Sequence, residues 1–179
     1  VDIQQFWSLI EDARSQVPDP ADGDAVADRA STLLADRPPA EIIGAQQALW
    51  DLMATSYAKP LWAAAYVVNG GCSDDGFDYF RGWLITQGRV AFERVLAAPD
   101  ELATLPDIQA AADDGIEMEC EGTLAIASSA YVVATGEQLP PDSFRIDYPE
   151  LDPDWDFDFD NGKEIGRRLP RLAALYDMN

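Results

Sequence analysis

An all-α fold is what this sequence predicts, and three observations predict it. Apolar side chains recur at helical spacing in one segment after another, strand-like alternation is missing from the first half, and Pro or Gly interrupts the chain where one helical pattern gives way to the next. With 179 residues, 47% of them hydrophobic, the chain can bury a core of its own. The expected architecture is a single compact orthogonal helical bundle with an irregular acidic C-terminal segment. Residues 1–136 form the helical core, residues 137–162 the acidic Pro/Asp-rich segment, and residues 163–179 a C-terminal helix.

Asp2 with Gln5 three residues on reads as a capping box, and Phe6, Leu9, Ile10, Ala13 and Val17 follow at helical spacing until Pro18 and Pro20. A second helix begins at Asp22 or Asp24, carries Val26, Ala30, Leu33 and Leu34 inward, and ends before Pro38-Pro39. Glu41 leads a third, with a stripe of Ile42, Ile43, Gln46, Leu49, Trp50, Met53 and Tyr57. After Lys59-Pro60 a fourth holds Leu61, Trp62, Ala65 and Tyr66, and Gly70-Gly71 stops it. Phe77 to Gln87 is helical up to Gly88, Val90 to Leu96 continues the pattern, and Ala103 to Gly115 reads as short helical pieces. Cys120 to Thr135 is expected as one helix with Leu124, Ala127, Ser128, Tyr131 and Thr135 on one face, stopped at Gly136. The last helix starts at Lys163 and carries Leu169, Leu172 and Leu175.

Twelve Lys plus Arg against 33 Asp plus Glu leave a net charge of −21, which opposes direct contact with nucleic acid or an anionic membrane. The chain has no His, so His-dependent nucleophile pairs and imidazole metal ligands are excluded. Cys72 and Cys120 are too few and too far apart for a disulfide scaffold, which points to a reducing cytoplasm. The longest nearly apolar run, Leu61 to Val68, is too short for a membrane span, and no export signal is expected. No cofactor is expected either.

The most informative stretch runs from Asn69 to Gly88 and contains Gly71-Cys72-Ser73-Asp74-Asp75-Gly76-Phe77-Asp78-Tyr79-Phe80-Arg81-Gly82-Trp83-Leu84-Ile85. Together with Phe6-Trp7-Ser8-Leu9-Ile10 near the start, it resembles the bacterial domain of unknown function 4240 family, in which Phe-Trp-x-Leu-Ile and Gly-Cys-Ser-Asp-Asp-Gly-Phe-x-x-Phe-Arg-x-Trp-Leu-Ile occur. The resemblance extends over roughly the first two thirds of the chain and implies no activity or ligand.

Read physically, Asp74 or Asp75 is expected to cap the helix that follows, Asp75 and Asp78 mimic a capping box, and Asp78 pairs with Arg81 at i, i+3. On that reading the segment is an acidic helix start, a surface ion pair and an aromatic core. The functional reading places Asp74, Asp75, Asp78 and Arg81 at the rim of an aromatic pocket, as acid, base or metal-holding groups of an enzyme with Arg81 orienting an anionic substrate. Trp7, Trp62, Tyr66, Cys72, Ser73, Phe77 and Trp83 are the candidate ligand contacts.

Cys72 lacks an activating imidazole and lies among carboxylates, so an inert thiol is expected. Asp156, Asp158 and Asp160 imitate the first ligands of a calcium loop, but Asn161 occupies the place of the turn Gly and Arg167 that of the bidentate Glu, so no metal site is expected. The same alternation suits an extended segment that packs Trp155, Phe157 and Phe159 and leaves its carboxylates in water. Charge is uneven: residues 1–90 carry 6 basic and 13 acidic side chains, whereas residues 91–179 carry 6 and 20. Between Val95 and Phe144 there are ten Asp or Glu and no Lys or Arg. The function this favours is a binding or regulatory module whose acidic face, Glu117, Glu119 and Glu121 included, meets a basic protein.

Overall fold

Asp2 accepts the Gln5 backbone N–H at 2.8 Å and donates its own N–H to the Gln5 side chain at 2.9 Å, so the first helix, α1 (Ile3–Arg14), opens on a complete capping box. A computed structural model of the chain describes residues 1–178, which are helical and irregular, with no strand among them. Asp22 caps α2 (Gly23–Ala35) through the Ala25 N–H at 3.0 Å. Pro38-Pro39 then resets the chain before α3 (Pro39–Thr55), because Pro is tolerated in a first turn that has no amide partner to lose. In turn come α4 (Lys59–Asn69), α5 (Asp74–Thr86) and α6 (Arg89–Ala97). A 3-10 turn at Pro99–Thr104 leads to α7 (Pro106–Asp114).

Phe6 and Ile10 of α1, Val26, Ala30 and Leu34 of α2, Ile42, Leu49 and Met53 of α3, and Phe77, Phe80 and Leu84 of α5 lie on one buried surface. Each large apolar side chain there contributes roughly 1.5–3 kcal/mol on leaving water. Helix α5 runs within this core and contacts α2, α3, α4 and α6, so its N-terminal motif is held on several sides.

The expected helix from Cys120 to Thr135 is corrected by the structure. Residues 116–120 are extended, a 3-10 turn covers Glu121–Ala125, and α8 (Ile126–Thr135) starts only after it. Ile126, Ala127 and Ala130 are its fully buried residues, packed toward α2 and α3, while Leu124, Ser128, Tyr131 and Thr135 of the expected face are half-buried beside them. The cause is tertiary: the Cys120 N–H donates to the Tyr79 carbonyl at 3.0 Å and the Thr123 hydroxyl to the Gly82 carbonyl at 3.0 Å. A Cβ on Gly82 would stand 2.4 Å from the Cys120 carbonyl oxygen, so only glycine lets the extended segment lie against α5.

The C-terminal helix also divides, into α9 (Gly162–Arg168) and α10 (Pro170–Leu175). Leu169, forced out of helical geometry by the proline after it, takes φ −129° and ψ 60° at the break. Between α8 and α9 the chain wraps over α3 and α4 as a strap. Trp155, Phe157 and Phe159 are half-buried while Asp154, Asp156, Asp158 and Asp160 are exposed, so the expected alternation of burial holds, but the backbone is not extended: a 3-10 turn covers Pro153–Trp155 and the chain turns again at Phe159-Asp160. Lys59 pairs with Asp156, the Tyr66 hydroxyl donates to Asp160 at 2.9 Å, and the Arg168 guanidinium lies 4.8 Å and 5.0 Å from the Trp155 and Phe157 rings. No helix among the described residues is long and apolar enough to cross a membrane.

Candidate functional site

The turn that opens α5 follows from Gly70, whose φ of 63° ends α4 in the left-handed conformation glycine takes without strain. Ser73 then caps α5, its hydroxyl accepting the Gly76 N–H at 3.1 Å. The cap expected from Asp74 or Asp75, and the box expected from Asp75 with Asp78, do not form. Both aspartates instead occupy the first helical turn with exposed side chains, where the positive end of the helix favours a carboxylate by about 0.3–1 kcal/mol each. Without the capping role, their carboxylates face outward.

Asp78 and Arg81 do pair, but the pair is not a surface one: the Arg81 side chain is 0% exposed and that of Asp78 30%. Arg81 Nε donates to the Phe77 carbonyl at 3.2 Å, Nη1 to the Met53 carbonyl at the end of α3, and Nη2 to Asp78. The guanidinium also lies 4.5 Å from the Phe77 ring, 5.2 Å from Tyr57 and 5.5 Å from Tyr148. An arginine so enclosed ties α5 to α3, because each of its three nitrogens has an acceptor and one of these is on α3. Burial pushes the Asp78 carboxyl above the ordinary range, with the Arg81 charge opposing that shift.

Several of the predicted ligand contacts converge and others do not. Trp62 stacks on Phe77 at 4.7 Å with planes 13° apart, and its indole N–H donates to the Cys72 carbonyl at 3.0 Å, so Trp62, Cys72, Ser73 and Phe77 form one cluster beside Arg81. Trp83 packs on Phe80 within the core, Trp7 packs on Phe92 of α6, and Tyr66 belongs to the strap contact with Phe159 and Asp160. Tyr57 and Tyr148 join this cluster at Arg81, and neither is a site candidate by sequence. Only Tyr57 had a signal there, as the last position of the α3 stripe.

Burial, with Glu119, Asp74 and Glu117 adding to it, pushes the Cys72 thiol up to about 12, against the lowering pull of Arg81. Burial likewise raises Cys120 to about 11. Neither thiol is activated as a nucleophile. Among the described residues, no three His, Cys, Asp or Glu side chains stand where they could hold a metal ion together.

The carboxylates form a ridge. Along the extended segment Glu117 and Glu119, and Glu121 at the start of the 3-10 turn that follows, are exposed while Met118 and Cys120 are buried. The segment is pinned to α4 by Asn69, whose side chain accepts the Met118 N–H at 2.9 Å and donates to the Met118 carbonyl at 3.3 Å. Tyr79 sits among these groups, its hydroxyl raised first by Glu121, then by burial, Asp75, Glu119 and Asp78. Burial and Glu117 raise the Glu119 carboxyl. Arg167 and Arg168 pair with Glu164, and Arg171 with Glu101, so the C-terminal arginines lie elsewhere, and among the described residues no ion pair involves Glu117, Glu119 or Glu121.

No curated protein and no solved structure matches the chain. Residues 1–132, which include α1, the α5 motif and the ridge, match a family described as protein of unknown function (DUF4240), and the chain belongs to that family.

Proposed function

We propose that the protein is a one-domain, cytoplasmic binding or regulatory module whose acidic ridge docks a basic partner protein. The observation that carries this reading is the ridge itself: Glu117, Glu119 and Glu121 project outward beside the exposed Asp74 and Asp75, with no cation paired to the three glutamates among the described residues. A field of one sign on a fixed surface steers an oppositely charged partner and raises its association rate. Arg81 argues for the same reading and against an enzyme built on these aspartates. Its guanidinium is buried and engaged by Met53, Phe77 and Asp78, so it is not placed to orient an anionic substrate in solution.

The test is capture of partners from the host lysate at low and high salt, followed by surface plasmon resonance with each captured protein. Screening shortens the Debye length from about 10 Å at 0.1 M to about 3 Å at 1 M, so association should slow steeply over that range. Glu117→Gln/Glu119→Gln/Glu121→Gln should lower the on-rate by roughly tenfold at low salt and change the off-rate less. An on-rate that ignores both salt and the triple substitution would sink the proposal.

A further inference from the structure

The strap crosses α3 and α5 on a surface that treats it as a bound peptide. The Gln47 side chain meets the backbone of Arg145 at both groups: the Arg145 N–H donates to Gln47 Oε1 at 2.8 Å, and Gln47 Nε2 donates to the Arg145 carbonyl at 3.2 Å. These are the two bonds a neighbouring β-strand would exchange with that residue, supplied here by an amide side chain. On one side of the clamp Phe144 stacks on Trp50, centroids 6.4 Å apart and planes within 5°. On the other, Tyr148 lies 4.4 Å from Tyr57 and 5.5 Å from the Arg81 guanidinium, which is also 4.5 Å from the Phe77 ring. Two aromatic seats thus flank one backbone clamp.

The occupant is held lightly and fits incompletely. Residues 145–150 are exposed, Tyr148 by 40%, and the buried Trp50 indole N–H has no acceptor while Phe144 covers its ring. Gln47, Trp50, Tyr57, Phe77 and Arg81 all fall within the family-matched residues 1–132, whereas the segment that fills the seats lies beyond them.

We propose that this groove is a peptide-recognition site filled in cis by Phe144–Tyr148, and that its ligand in trans is an extended segment carrying two aromatic side chains four residues apart. The strap then acts as a tethered competitor, because linkage holds it near the groove at an effective concentration in the millimolar range for a short flexible connection. The site uses none of the ridge carboxylates at 117–121, so it stands or falls separately from the basic-partner reading.

The probe is a fluorescein-labelled peptide of residues 141–150, Pro-Asp-Ser-Phe-Arg-Ile-Asp-Tyr-Pro-Glu, followed by anisotropy with the full chain. Phe144→Ala/Tyr148→Ala, which empties both seats, should bind the peptide at least about tenfold tighter than the unaltered chain. Adding Gln47→Ala, or replacing both aromatics of the peptide by Ala, should abolish that gain. Equal affinity for both chains, binding that ignores the peptide's aromatics, or no saturable binding would each overturn the proposal. Circular dichroism melts check the fold, and Tyr148→Ala alone replaces the double variant if the latter does not melt cooperatively. Failure of that single variant to fold would also overturn the proposal, since it would make the strap part of the core.

Discussion

Residues 154–160 and residues 117–121 share a pattern, a carboxylate at every second position with an apolar side chain between, and they differ in what lies beneath them. The first set packs on α4 and α9, where Lys59 pairs with Asp156, the Tyr66 hydroxyl bonds Asp160 and Arg168 covers Trp155 and Phe157. The second packs on α5, which offers Asp74, Asp75 and Asp78, together with one arginine already paired. Equal patterns therefore give a strap with one aspartate paired to a lysine and another hydrogen-bonded by a tyrosine, and a ridge whose three glutamates have no ion pair among the described residues. Formal charge along a chain becomes a surface potential only after packing has decided which carboxylates meet cations.

Arg81 lies buried beside the ridge motif, and its removal should have the largest effect. Arg81→Ala leaves the half-buried Asp78 without its cation and removes the guanidinium's bonds to the Phe77 and Met53 carbonyls, which should cost roughly 3–5 kcal/mol in denaturant unfolding. Arg81→Lys should recover little, because a single ammonium does not reproduce three directed N–H groups and a planar face against Phe77. Full recovery by Lys would show that charge alone matters there.

Glycine substitutions sharpen the contrast next. Gly82→Ala drives a methyl into the Cys120 carbonyl and should destabilise by roughly 1–3 kcal/mol. Gly166→Ala in α9 meets open space and should stabilise by up to about 1 kcal/mol through helix propensity. The two midpoints should move in opposite directions, and a shared direction would mean that Cys120 does not lie against α5 as described.

The smallest expected effects are on pH dependence, and they carry opposite signs in the two regions. Glu119 and Asp78 have raised folded-state values, so the folded chain holds their protons more tightly than the unfolded one. Their contribution increases stability as pH falls through the folded values and is complete below the ordinary 4.5 and 3.8. Asp156 is lowered, first by its hydrogen bond from Lys59. Its contribution is present above the ordinary 3.8 and is lost as pH falls through the folded value. In thermal melts from pH 7 to pH 3, Glu119→Gln should flatten the early rise and Asp156→Asn the late fall. Identical profiles for the two variants would erase the distinction between ridge and strap.

Much of the fold was legible because its signals are local. Asp2 with Gln5, Pro38-Pro39 and Gly70 act within a few residues of themselves, and the Asp78–Arg81 spacing announces a pair. The cap of α5 differs from the expected Asp74 or Asp75: Ser73, a competent residue type one place earlier, takes the Gly76 N–H instead. Of the extended segment at 116–120 only Cys120 falls in the expected helix, although Glu117-Met118-Glu119-Cys120-Glu121 alternates with period two, a local signal of extended chain. Burial of Arg81 has no such local signal, because Tyr57 and Tyr148 come from distant parts of the chain.

The thiol beside the ridge doubles as a gauge of it. With the Cys72 thiol pushed up to about 12, almost none of it is thiolate at neutral pH, so alkylation of the resting protein should be slow. Burial and the neighbouring Glu119, Asp74 and Glu117 set that value, and a cationic partner seated on these carboxylates would offset their share of it. Wherever such a partner leaves the sulfur reachable, the rate of thiol labelling becomes a clock for occupancy of the ridge, read without a dye or tag on either protein.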